Sequence, residues 1–249
     1  MDVIGQIKLN YTEDFRIACK INNLKQEELL QYFIDHVSFY AFIGGDMDPA
    51  YLWATTVSID CKDVLGSQVE AVTDKRIQDI SLKYIKKLTA LNLETDLSRD
   101  IECKKSIALM NEWSGEMLSL TNYVNKAEET SLTGPLSLSF DFNLVCGMNG
   151  ISTENQLQYF IDNISLAKDR AVNLLQTVKI DPSTAVLLFL ISNHEGVKNK
   201  ILPHQEIYKK YCLLLLKLDK KQKEESSLEN RIHNYSAFYL DWYNALNEE

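Results

Sequence analysis

The chain contains a version of itself. Shifted by 127 positions, FRIACKINNLKQEELLQYFIDHVS at residues 15–38 falls on FNLVCGMNGISTENQLQYFIDNIS at 142–165, and eleven of these 24 positions are identical. Six of the identities are consecutive, Leu30 to Asp35 against Leu157 to Asp162. The apolar exchanges Ile17/Leu144, Ile21/Met148, Leu24/Ile151 and Val37/Ile164 keep the pattern between them. Weaker echoes follow downstream at slightly drifting shifts: Asp48-Pro49 with Asp181-Pro182, Leu97 and Ile101 with Leu228 and Ile232, and Trp113 with Trp242. Self-similarity at a fixed offset marks a duplicated structural unit. Two copies are expected, residues 1–125 and 134–249, related by a pseudo-twofold axis and packed as one globular unit.

The repeated block predicts a strand followed by helices. Residues 136–146, LSLSFDFNLVC, alternate apolar and polar with period two, the pattern of a half-buried strand. Leu136, Leu138, Phe140, Phe142, Leu144 and Cys146 would share one face, and Leu9, Tyr11, Phe15, Ile17 and Cys19 stand in the same places in the first copy. Asn22-Asn23 and Asn149-Gly150 read as breaks. A helix follows in each copy, with Thr153 and Gln156 as a capping box in the second. Its apolar positions recur at spacings of three and four: Leu30, Phe33, Ile34, Val37 and Ala41, then Leu157, Phe160, Ile161, Ile164, Ala171 and Leu174. Asp-Pro opens a second helix in each copy, further helices are expected near 74–91 and 204–223, and each copy closes on a helix carrying tryptophan. The expected fold class is α+β, predominantly helical, a strand plus about four helices made twice. The strands of the two copies are expected to pair with each other, or to lie at an edge open to a partner chain.

Composition limits the function classes. The formal charge of −9 repels phosphate backbones, which argues against nucleic acid unless a local basic patch exists. The segment 209–225 is the one place with such a density of lysine, at 209, 210, 217, 220, 221 and 223, diluted by Asp219, Glu224 and Glu225. The longest apolar runs, Ala185–Ile191 and Tyr211–Leu216, fall well short of the roughly 20 residues that cross a bilayer and read as buried helix segments. The five cysteines include no closely spaced pair, and the first residues, MDVIGQIKLN, are unlike a secretory leader. A cytoplasmic protein with reduced thiols is expected, with Cys19 and Cys146 as small buried hydrophobes.

No catalytic template fits. Gly44-Gly45 lacks the spacing of a phosphate loop and reads as a helix end, and Asp46 with Asp48 reads as a helix start more readily than a cation site. His194-Glu195 lacks the second histidine of a metalloprotease helix, because position 198 is Lys198, and His194 with His204 makes a poor metal pair. His36 sits on a polar helix face. No catalytic residue, metal or cofactor is therefore expected.

Two residue sets remain as candidate binding sites. Gln31, Tyr32 and Asp35 recur as Gln158, Tyr159 and Asp162, with the glutamine and aspartate four residues apart on one helix edge. The C-terminal aromatics Tyr239, Trp242 and Tyr243 are of the kind that dominates protein interfaces. The sequence thus points to a non-enzymatic protein-interaction protein, an adaptor, inhibitor or assembly component, that binds a protein partner or itself. The competing readings are an enzyme or small-ligand binder with a site between the repeats, and a nucleic-acid accessory protein working through 209–223.

Overall fold

The computed structural model describes residues 9–39, 41, 49–65, 75–120, 136–174, 180–193 and 205–248. Residues 3–8 and the positions Gly44, Gly45, Asp46, Asp48, His194 and His204 lie outside the described residues.

Among the described residues the chain forms eleven helices and no strand. In order they are α1 (Glu13–Ile21), α2 (Gln26–His36), α3 (Pro49–Leu65), α4 (Lys75–Asn92), α5 (Arg99–Leu120), α6 (Phe140–Asn149), α7 (Thr153–Asp162), α8 (Leu166–Asn173), α9 (Pro182–Asn193), α10 (Gln205–Gln222) and α11 (Leu228–Ala245). The repeat relates α1 to α6 and α2 to α7.

The α+β expectation is overturned, because both segments read as strands are helices α1 and α6. Each begins on a hydroxyl that accepts from the backbone N–H three residues on: Thr12 Oγ1 from Phe15 at 3.2 Å, and Ser139 Oγ from Phe142 at 3.2 Å. Acids follow in the first turn, Glu13 and Asp14 or Asp141, where they oppose the positive end of the helix dipole. Each helix ends on a residue in the left-handed region, Asn23 at φ 50° and Gly150 at φ 67°. The residue beyond then donates back to the last turn, Leu24 to Cys19 O at 2.9 Å and Ile151 to Cys146 O at 3.0 Å. So the asparagines and glycine that resembled strand breaks close helices. The alternation in 136–146 misleads because α6 is enclosed: Phe142, Asn143, Leu144, Val145 and Cys146 are all buried, and a helix buried on every side carries no 3.6-residue polarity pattern. The cap of α7 also moves by one residue. Ser152 Oγ accepts from Asn155 N–H at 3.1 Å, while the Gln156 side chain is fully buried without a hydrogen-bond partner.

The described residues divide into two compact units, and each unit draws on both repeats. The first holds residues 33–156, the second 9–32 and 157–248. The first unit therefore combines α3, α4 and α5 of the first repeat with α6 of the second. On α6, Leu144 enters a core with Tyr84, Met110, Trp113 and Met117, and Met148 packs against it. The start of α6 is tied to the end of α2: Ser139 Oγ donates to Ile34 O at 3.2 Å, and the Asp141 carboxylate accepts from Ser38 Oγ and Phe39 N–H, both at 3.1 Å.

The second unit combines α8 to α11 of the second repeat with α1 of the first. Ile17 and Ile21 on α1 join Ala171, Tyr211, Tyr239 and Trp242 in its core. Tyr208 closes the contact by donating its hydroxyl to Ile21 O at 2.5 Å. Ile17 and Ile21 are the repeat equivalents of Leu144 and Met148. The exchange is therefore reciprocal, residue for residue.

The downstream helices also correspond. Tyr84 stacks on Trp113 with centroids 6.0 Å apart and planes 6° apart, and Tyr211 stacks on Trp242 at 5.5 Å and 6°. Lys83 and Lys210, one residue before each tyrosine, lie over the rings at 4.8 and 5.2 Å. A threonine clamp recurs as well: Thr55 Oγ1 accepts from Ser38 N–H at 2.9 Å, and Thr184 Oγ1 from Ser165 N–H at 3.4 Å.

Candidate functional site

The repeated glutamine, tyrosine and aspartate are engaged within the fold. The Gln158 amide pairs with the backbone of Asn10, accepting from its N–H and donating to its carbonyl, both at 2.9 Å. Gln158 also donates to Asp162 Oδ1 at 2.8 Å, so the predicted four-residue pair on one helix edge is present. Gln31, Tyr32, Asp35 and Tyr159 each have interaction partners too. The six residues do not gather in one unit: Asp35 belongs to the first, and Gln31, Tyr32, Gln158, Tyr159 and Asp162 to the second. What the geometry shows for Gln158 is a side chain that stands in for a missing backbone pairing partner of Asn10.

The C-terminal aromatics are core. Tyr239 and Trp242 are buried, and Tyr243 packs against the same cluster. Burial, opposed by Arg170, raises the Tyr239 hydroxyl to about 12, and burial with the hydrogen bond to Asp241 raises Tyr211 to about 12. The thiols behave alike. Burial first, then Glu27 and Glu28, pushes Cys19 up to about 12, and burial raises Cys146 as well, which keeps both protonated and unreactive. His36 lies half-buried against the Tyr51 ring at 4.8 Å. Among the described residues no group of three or more His, Cys, Asp or Glu is placed to hold a metal ion, and no helix is long and apolar enough to cross a membrane.

Sequence reasoning missed a buried polar network in the second unit. Asp219 on α10 accepts from Arg170 Nε at 3.1 Å, from an Arg170 terminal nitrogen, and from the Tyr235 hydroxyl at 2.8 Å. Burial pushes the Asp219 carboxyl up, but the hydrogen bonds from Arg170 and Tyr235 outweigh it and hold the group below the usual carboxylate range. Buried Arg231 lies close by in sequence and space, donating to Ala171 O at 3.1 Å and Glu225 O at 2.7 Å. These bonds fasten α8, α10 and α11 together.

The network has a consequence on the outer side of α10. Asp219 is the one acid between Lys209 and Lys223, and it points inward. The six lysines of that stretch therefore face solvent undiluted by it. Leucines stand among them, with Leu213 62% and Leu216 57% exposed. The run Tyr211–Leu216 is thus not a buried segment as its composition predicts. Successive helical residues point 100° apart, so six in a row must circle the helix. Tyr211 turns in, and Cys212, Leu213, Leu214 and Leu216 turn out. The equivalent helix α4 does the same, with Leu82 51% and Ile85 50% exposed.

Compared with known protein families, curated proteins and solved structures, the chain matches none.

Proposed function

We propose that this protein is a non-enzymatic interaction protein that binds a protein partner through an outward aliphatic helix face, that of α10, a feature that the corresponding helix α4 repeats in the other unit. The observation that carries this reading is the pair of exposed aliphatic stripes, Leu213 with Leu216 and Leu82 with Ile85, on helices that correspond in the two repeats. Singly exposed leucines are ordinary, but neighbouring ones on one helix face mark a contact surface. Each of these helices already buries a separate face, carrying Tyr84 and Leu91 or Tyr211, so the exposed stripe serves no purpose inside its own unit. The engaged state of the Gln158 amide and of Asp219 supports the same reading, because these polar groups are spent on structure.

The test is capture from native lysate with the intact chain and with a variant carrying Leu82→Ser, Ile85→Ser, Leu213→Ser and Leu216→Ser. The expected result is a stable partner, or self-association, seen with the intact chain and lost in the variant, while helicity and melting temperature stay within a few degrees. No partner and no self-association would count against the reading, and so would a partner captured equally by both.

A further inference from the structure

We infer that the outward face of α10 docks an acidic, amphipathic helical segment of a partner protein, Leu213 and Leu216 receiving its apolar side chains and the surrounding lysines its carboxylates. This deepens the interaction reading above and rests on it. The inference comes from the combination of charge and shape on one helix. Taking 100° per residue, Lys209, Leu213, Leu216, Lys217 and Lys220 fall on the side opposite Tyr211, Leu215, Leu218 and Gln222, the side turned to the core. Lys221 and Lys223 flank that outer strip. None of the ion pairs among the described residues uses Lys217, Lys220 or Lys221, whereas Lys209 is paired with Glu206 at 2.9 Å.

The charge of this face runs against that of the molecule. The whole chain carries −9, yet Lys209 to Lys223 holds six lysines and one acid, and that acid is buried against Arg170. Just beyond, Glu224 is exposed, while the Glu225 carboxylate is occupied in capping the next turn, accepting from Ser227 N–H at 2.8 Å and from Asn230 at 3.3 Å. A positive strip on an acidic protein attracts a negative partner and repels the same strip on another copy. The leucines decide between kinds of negative partner. A phosphate backbone has no apolar groups to cover Leu213 and Leu216. An anionic membrane would bring the rest of the acidic surface against its own charge, for an insertion of two leucines worth only a few kcal/mol. A helix with leucines at spacings of three and four and acids beside them satisfies both groups at once. The strip from Lys209 to Lys220 spans about three turns, a length that an ordinary recognition helix covers.

The test uses the intact chain and a synthetic, fluorescein-labelled peptide of about 20 residues, long enough to be helical, with leucines on one face and glutamates beside them. Controls are the same peptide with every glutamate replaced by lysine, and vesicles of phosphatidylserine in phosphatidylcholine. The acidic peptide is expected to bind, with affinity falling about tenfold between roughly 50 and 300 mM salt. The triple variant Lys217→Glu, Lys220→Glu and Lys221→Glu, and separately Leu213→Ser with Leu216→Ser, should each weaken it by at least about tenfold. Circular dichroism confirms that both variants keep their helices. Equal binding of the acidic and basic peptides overturns the inference, as does an unchanged affinity in the charge-reversed chain, or uptake by vesicles without binding of the peptide. If the partner captured from lysate is lost with the leucines but kept by the charge-reversed chain, the acidic class falls and the interaction reading stands. If it survives both changes, both fall.

Discussion

Asp219 shows how one residue can set the character of a surface it does not reach. A carboxylate taken out of water costs several kcal/mol unless hydrogen bonds replace its hydration. Here Arg170 and Tyr235 replace it, and the net effect is a carboxyl held low despite burial. The sign of its pH dependence follows. A depressed folded-state value stabilises the fold above the unfolded carboxyl range, near about pH 4, and that stability is lost as pH falls through the folded value. Asp219→Asn is therefore expected to lower stability by about 1–2 kcal/mol at neutral pH, discounted for the half-exposed Arg170. Urea midpoints of the two chains should converge as the pH drops below about 4; a gap that persists or widens in acid would contradict the assignment. The left-handed caps give a second test at this scale. Gly150→Ala should cost about 1–2 kcal/mol, since alanine at φ 67° crowds the following carbonyl, read as a lowered urea midpoint. The role of Asp219 is not legible in sequence. Asp219 stood among lysines like a surface charge, and its partner lies 49 residues away on another helix.

Helix ends decide the elements of this chain more than hydrophobic patterning does. In α2 and α7 the apolar residues recur at three and four and the other faces stay polar, but the second-copy helix, expected to run on through Ala171 and Leu174, stops at Asp162, and Ser165 caps a separate helix α8 by accepting from Lys168 N–H at 3.1 Å. In α6 the pattern fails, since every residue from Phe142 to Cys146 is buried and alternation of side chains is equally a coincidence of helix packing, whereas α1 does carry a polar side, with Glu13, Arg16 and Lys20 exposed at spacings of three and four. The informative signals were local: Thr12 before Glu13-Asp14, Ser139 before Asp141, and asparagine or glycine at the close. Removing the caps should expose their contribution. Thr12→Ala and Ser139→Ala are each expected to cost about 1 kcal/mol in chemical denaturation, and a loss near zero for both would mean the hydroxyls are not what starts these helices. The candidate site divides in the same way. The composition of Tyr211–Leu216 places Leu213 and Leu216 in the interior, because a six-residue apolar run gives no hint of where the helix turns outward. The C-terminal aromatics pointed the other way, toward a surface, and three-dimensional packing put them in a core.

At the scale of the molecule, duplication has been resolved into exchange. The two repeats in the sequence and the two compact units in space are different divisions of the chain. Each unit takes its entering helix from the other repeat, Leu144 and Met148 on α6 serving the first and Ile17 and Ile21 on α1 serving the second. Pseudo-equivalent residues fill equivalent places, as a pair of chains exchanging identical elements would after fusion into one. Losing one of these anchors leaves a cavity: Leu144→Ala should destabilise by about 2–4 kcal/mol, read as a lowered denaturation midpoint. Exchange also means that neither repeat contains a complete core. The most direct test is to express residues 1–125 and 134–249 as separate polypeptides and follow helicity on heating, apart and mixed. Apart, each should lack a cooperative monomeric transition; mixed in equal amounts, they should form a one-to-one complex that melts as the intact chain does. A fragment that folds alone as a monomer, with a cooperative transition near that of the intact chain, would contradict the exchange.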